Sequence, residues 1–158
     1  MNRLEIIERL KHLPGELEVS VAGLPEATLR FRPAEGEWSI NETVGHVRDL
    51  AEVWHKRLYM VASLTDPQFT SFDGEASVIE HNYQDADLAT LFREMREWRS
   101  KTVVLLAHTV DWTRIGQQRG VGRRSLRQFA EFLISHDEEH IAEVQRLKEL
   151  VKQPAASA

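Results

Sequence analysis

Ser135-His136-Asp137-Glu138-Glu139-His140-Ile141 sits in the middle of a long helical pattern and decides how the rest of the chain is read. Steps of three and four residues in both directions put Leu126, Phe129, Leu133, His136, His140, Val144, Leu147 and Val151 on one face. An amphipathic helix keeps imidazoles off its buried stripe unless they have partners, because an unpartnered polar ring costs free energy there. Two of them one turn apart can converge on a shared partner. A divalent metal ion is the favoured one; the alternative is a pair of neutral imidazoles satisfied by side chains on facing helices. On this reading Asp137 and Glu138 point outward and serve solvation.

Working outward, the capping box Ser125-Leu126-Arg127-Gln128 opens this helix, which ends near Lys152. A preceding helix over 87–108 carries Leu88, Leu91, Phe92, Met95, Trp98, Thr102, Leu105 and Leu106 at helical spacing. Upstream, Ser39-Ile40-Asn41-Glu42 is a second capping box. It opens a helix through Val44, Val47, Leu50, Ala51, Trp54, Leu58 and Val61 to about Ser63. The first helix covers 2–23 on Ile6, Ile7, Leu10, Leu13, Leu17 and Val21, and Pro14-Gly15 predicts a break within it. Leu24-Pro25-Glu26-Ala27-Thr28-Leu29 reads as one short helical turn, and Arg32 to Glu37 as an irregular connector.

No strand pair is evident. About 20 residues over 64–86 form a connection that is long by the usual statistics, and Phe69, Phe72, Ile79 and Tyr83 suit it to packing over the body of the protein. These segments predict an all-α fold, a four-helix bundle in a single domain over 1–152, with a frayed tail over 153–158.

A chain of 158 residues suits one well-buried domain. A formal charge of −5 argues against nucleic acid as a partner. No apolar run approaches the roughly 20 residues that cross a bilayer, and the charged amphipathic start is unlike a signal peptide. The expected compartment is the cytoplasm. With no cysteine, disulfides, thiolate ligands and a cysteine nucleophile are excluded, so a metal must be held by His, Asp or Glu.

A third ligand must come from upstream. His46, beside Thr43, Leu50 and Val53 at the edge of its stripe, is favoured once the His pair is considered; alone it reads as a partly exposed polar residue. His55 and His12 read as surface residues, His108 as a helix end and His81 as a loop residue. Asp49, Glu139 and Glu143 have two readings, as acceptors orienting a ligand imidazole or as solvent-facing carboxylates. Trp38, Trp54, Trp98 and Trp112 read as core or loop anchors, and Arg123, Arg124 and Arg127 as a solvated basic cluster. His136-x-x-Glu139-His140 also fits the pattern of inverted zinc peptidases. Those need a further carboxylate ligand downstream, and only 18 residues follow His140. No glycine-rich phosphate loop or serine elbow is present.

The chain resembles the DinB/YfiT-like superfamily along essentially its whole length. The resemblance is carried by Leu24-Pro25-Glu26-x-x-Leu29, Arg32-Pro33, Glu37-Trp38-Ser39-Ile40-Asn41-Glu42, Gly45-His46-Val47 and His136-x-x-x-His140. It implies a four-helix bundle in which His46, His136 and His140 hold one divalent transition metal, nickel or zinc. It further implies a small-molecule substrate, a homodimer, and chemistry like that of the related S-transferases, which use low-molecular-weight thiols such as bacillithiol or mycothiol. A related hydrolase activity is also within its range, and a non-catalytic, stress-related binding or dimerisation module is the alternative. No general base is singled out.

Overall fold

The computed structural model describes residues 1–152, so the expected tail at 153–158 lies outside the described residues. Four long helices dominate: α1 (Arg3–Val21), α3 (Ile40–Ser63), α5 (Leu88–His108) and α6 (Leu126–Lys152). Two short helices, α2 (Glu26–Arg30) and α4 (Gly74–Glu80), and a hairpin of β1 (Ile115–Gln118) and β2 (Gly122–Ser125) lie in the connections.

Both expected capping boxes form. The Ser39 hydroxyl accepts the Glu42 N–H at 3.2 Å while a Glu42 carboxylate oxygen accepts the Ser39 N–H at 3.0 Å. Ser125 and Gln128 repeat the exchange at 3.1 and 2.9 Å. Arg32 adds a two-pronged contact to Glu42 at 2.8 and 2.9 Å, so the Arg32-Pro33 segment is tied to the first turn of α3.

The arrangement of the core explains the connections. One apolar cluster gathers Ile6, Leu10 and Leu13 of α1 with Trp54, Leu58 and Val61 of α3, Leu106 of α5 and Leu126, Phe129 and Leu133 of α6. A second gathers Leu17 and Val21, Ile40 and Val44, Leu91 and Met95, and Val144 and Leu147. Thus α1 and α6 run from the first cluster to the second, while α3 and α5 run the opposite way. α3 packs on α5 and α6, and α1 packs on the same two helices, which leaves α1 and α3 on one diagonal. Because α3 and α5 are parallel neighbours, the chain must return the length of the bundle between them. The 64–86 connection makes that return. It is more ordered than a plain loop: α4, capped by the Asp73 carboxylate on the Ala76 N–H, is followed by a 3-10 turn over Tyr83–Asp85.

Two further expectations are corrected. α1 does not break at Pro14. Proline supplies no N–H, so the Leu10 carbonyl one turn earlier loses its helical donor. Arg99 of α5 replaces it, donating from Nη1 at 2.9 Å. The hairpin was not legible because Ile115-Gly116-Gln117-Gln118 and Gly122-Arg123-Arg124-Ser125 lack alternation. Outside support holds it instead: the Phe69 N–H donates to the Gln117 carbonyl and the Gln117 N–H to the Pro67 carbonyl, at 3.0 and 2.8 Å.

Candidate metal centre

Between the two apolar clusters lies a polar layer. Its deepest members are Arg99 and Asp137, each 2 % exposed, and its rim is formed by half-buried His46, His136 and His140. The three histidines bring one ligand atom each to within 4.8 Å of one another, the one such grouping among the described residues. His46 Nε2 lies 3.1 Å from His136 Nε2. The ring centroids of His46 and His140 are 4.8 Å apart, and those of His136 and His140 4.5 Å.

Local structure aims each ring. His46 stands two turns beyond the doubly tied cap of α3, and the Trp38 indole just before that cap packs on it at 4.7 Å. Behind His46 is Gly74, the first residue of α4. A Cβ there would come within 2.9 Å of His46 Cε1, so glycine lets α4 close over the ring. Gly45 serves a second close approach: a Cβ would meet the Tyr83 ring at 2.2 Å. Tyr83 then reaches Asp49, donating its hydroxyl proton to the carboxylate at 2.6 Å.

Asp137 overturns the outward reading made from the sequence. The deep stripe of α6 runs through Leu126, Ala130, Leu133, Asp137 and Val144, with the two histidines at its edge. Asp137 Oδ2 accepts from Arg99 Nη2 at 2.7 Å, and Oδ1 lies 3.2 Å from His136 Nδ1. Burial works to raise the Asp137 pKa, but the Arg99 guanidinium and His136 outweigh it and hold the carboxyl below its ordinary range. An ionised carboxylate only accepts hydrogen bonds, so the His136 ring proton belongs on Nδ1, and the Nε2 lone pair faces His46. Arg99 thus reaches from α5 across the bundle to serve α1 and α6 together.

The other candidates lie elsewhere. Asp49 accepts from Ser77 and Tyr83, Glu143 pairs with Arg146, and neither touches a site imidazole. Glu139 is exposed. His81 contacts Ser77 and stacks on Tyr83, His55 meets Thr102, His12 lies beside Glu8, and His108 donates to the Val104 carbonyl. Arg123 pairs with Asp66 and Arg127 with Glu131, so that basic cluster is spent on the surface.

The donor set suits a divalent ion. Burial first, then the neighbouring His140 and His136, push the His46 pKa down to about 3; burial and His136 bring His140 to about 4. Both rings therefore present lone pairs at neutral pH. Two imidazole nitrogens bound to one ion at about 2.0–2.1 Å sit roughly 3 Å apart, close to the separation His46 and His136 already show. No cysteine or carboxylate competes within the cluster.

A parallel-paired helical bundle carrying three converging imidazoles defines the class of protein, and the sequence agrees: residues 9–144 match the DinB superfamily, to which the chain belongs. Among solved structures it is similar to YfiT from Bacillus subtilis, described as a "probable metal-dependent hydrolase with an unusual four-helix bundle topology". That match has a TM-score of 0.89 at 18 % identity and covers 96 % of this chain and 89 % of YfiT. No curated protein matches the sequence significantly.

Proposed function

We propose that the protein is a divalent-metal-dependent enzyme acting on a small molecule, with His46, His136 and His140 as the ligands. The observation that carries this is the convergence of three half-buried imidazoles, each bringing one ring nitrogen to within 4.8 Å of the others. The description of YfiT points the same way. An ion held by three neutral imidazoles keeps open positions, acts as a Lewis acid and lowers the pKa of a coordinated water or thiol.

The chain's own residues supply the rest. Asp137 holds the His136 proton on Nδ1 and so keeps Nε2 free for ligation; Arg99 holds Asp137 ionised in the interior. Trp38 and Gly74 pack against the His46 ring and hold it in place. The reaction we favour is transfer of a low-molecular-weight thiol to an electrophile, as the resemblance to the related S-transferases implies; hydrolysis uses the same site with water as nucleophile. Nickel and zinc both suit imidazole donors.

Elemental analysis of protein purified without chelators tests the first step: about one equivalent of a transition metal is expected. H46A should lose most of it while retaining its helical circular dichroism. Less than about 0.1 equivalent, with no uptake on titration, would overturn the reading. Turnover of a chloro-nitroaromatic with added thiol, compared with ester hydrolysis without it, separates transferase from hydrolase.

A further inference from the structure

We propose that the cavity beside His46 and His136 seats a small molecule with an aromatic or other apolar body and a carboxylate-like anionic group, the anion resting on Arg57. This rests on the metal-dependent reading only for what happens at the molecule's other end.

The cavity holds about 360 Å³ and is lined by His46, His136, Trp54, Phe69, Phe72 and Phe132 together with Arg57 and Arg119. That volume suits a small organic molecule. Phe132 and Phe72 keep 47 % and 36 % of their surface exposed beside it, so apolar area is displayed where a core residue would be covered.

Arg57 supplies the charge. Its guanidinium lies 5.0 Å from the Trp54 ring and 5.2 Å from the Phe69 ring, with Nη2 donating to the Thr70 carbonyl at 2.8 Å. Aromatic faces hold a guanidinium in place without neutralising it. Arg57 is half-buried, yet it meets no carboxylate among the described residues, and burial pushes its pKa down. Other withdrawn guanidiniums differ: Arg48 has Glu52 and Glu94, Arg99 has Asp137, and Arg114 spends its donors on the Val61 and Leu64 carbonyls at the end of α3. A cation drawn from water without a counter-ion is a standing cost that an anionic ligand would remove. Its remaining N–H groups form a fork suited to two oxygens. Arg119, at the hairpin, adds a second positive charge without a carboxylate partner among the described residues.

The opposite approach to the histidines fixes the polarity. A cavity of about 380 Å³ there reaches His140 between Glu37, Glu75, Glu139 and Glu143, with Arg146 already paired to Glu143. An anion is repelled on that side and drawn to the Arg57 side.

Nuclear magnetic resonance titration with benzoate, benzamide and acetate tests the proposal, on metal-loaded protein and again after chelator treatment. Benzoate is expected to bind about tenfold more tightly than either of the others in both states, as one charge-assisted contact warrants. R57Q should abolish the preference for benzoate over benzamide. Equal binding of acid and amide, acetate binding as well as benzoate, or an unchanged preference in R57Q would each overturn it. Should R57Q fail to fold, the wild-type Arg57 Nε–H resonance decides: a shift with benzoate and none with benzamide supports the seat, and no shift overturns it. Protein that takes up no metal yet keeps the Arg57-dependent preference would remove the enzyme reading and leave the seat standing. Protein that loads metal without the preference would do the reverse.

Discussion

Replacing Arg99 by methionine should destabilise the metal-free protein more than any other single change in the polar layer. The guanidinium is 2 % exposed and satisfies two groups that have no access to water, the Asp137 carboxylate at 2.7 Å and the Leu10 carbonyl at 2.9 Å. Stranding a buried carboxylate costs about 3–5 kcal/mol, and an orphaned carbonyl adds about 1–3 kcal/mol. A loss on the order of 5 kcal/mol is a large fraction of the roughly 5–15 kcal/mol available to a domain.

The double variant R99M/D137L should recover most of that loss, because a buried ion pair exchanged for apolar groups is often neutral. The Leu10 carbonyl and the His136 Nδ1–H then remain unpaired. Metal affinity should follow the opposite order. R99M leaves Asp137 beside His136, whereas the double variant removes the acceptor for the His136 ring proton and should weaken binding about 10- to 100-fold.

The pH dependence adds a check. Without Arg99, only His136 opposes the effect of burial on Asp137, so its pKa rises and the R99M deficit should shrink as acid protonates the carboxyl. Urea unfolding of chelator-treated protein at two pH values gives the stabilities, and competition with a coloured chelator gives the affinities. A double variant as unstable as R99M would refute the stranded-charge argument, and unchanged metal affinity in that variant would refute the role assigned to Asp137.

Acid should destabilise the metal-free protein well before its carboxylates titrate. Native His46 and His140 titrate near about 3 and about 4, while the unfolded chain takes up those protons below about 6.5. Stability is therefore full above that value and falls as pH drops, by up to about 1.4 kcal/mol per unit for each ring; a flat profile between pH 6.5 and 4.5 would contradict it. G45A and G74A should part company. In G45A the Tyr83 ring must move, since a Cβ would lie 2.2 Å from it, at about 1–3 kcal/mol in urea unfolding. G74A presses only on the His46 ring, so metal affinity should fall while the unfolding midpoint of metal-free protein stays put. Chelation should lower the thermal midpoint of the wild type, because an ion at 1,000 times its dissociation constant contributes about 4 kcal/mol.

Most of the bundle was legible because its long helices announce themselves twice, by apolar spacing and by the Ser39 and Ser125 capping boxes. The convergence of His46, His136 and His140 was legible because two imidazoles one turn apart beside an apolar stripe call for a shared partner. The errors all concern groups satisfied from far away in the chain. Asp137 was placed outward because the stripe was centred on the histidines, roughly an eighth of a turn from its true axis. Leu133, Asp137 and Val144 share the deeper line, and Arg99, between Met95 and Thr102, is its counterpart on α5. Pro14 was read by a local rule, and a donor from another helix overrode it. The hairpin and Arg57 gave no signal, since both depend on what the fold sets beside them.

The helical proline has a consequence for inheritance. Pro14 creates the free Leu10 carbonyl, Arg99 answers it, and Asp137 balances Arg99, so three positions far apart in the chain form one debt and its settlement. In family members where residue 14 is another amino acid, its N–H reclaims the carbonyl and the arginine loses half its purpose. Substitutions at 14, 99 and 137 should therefore travel together through the lineage, and a histidine ligand at the metal centre would owe its orientation partly to a proline in a different helix.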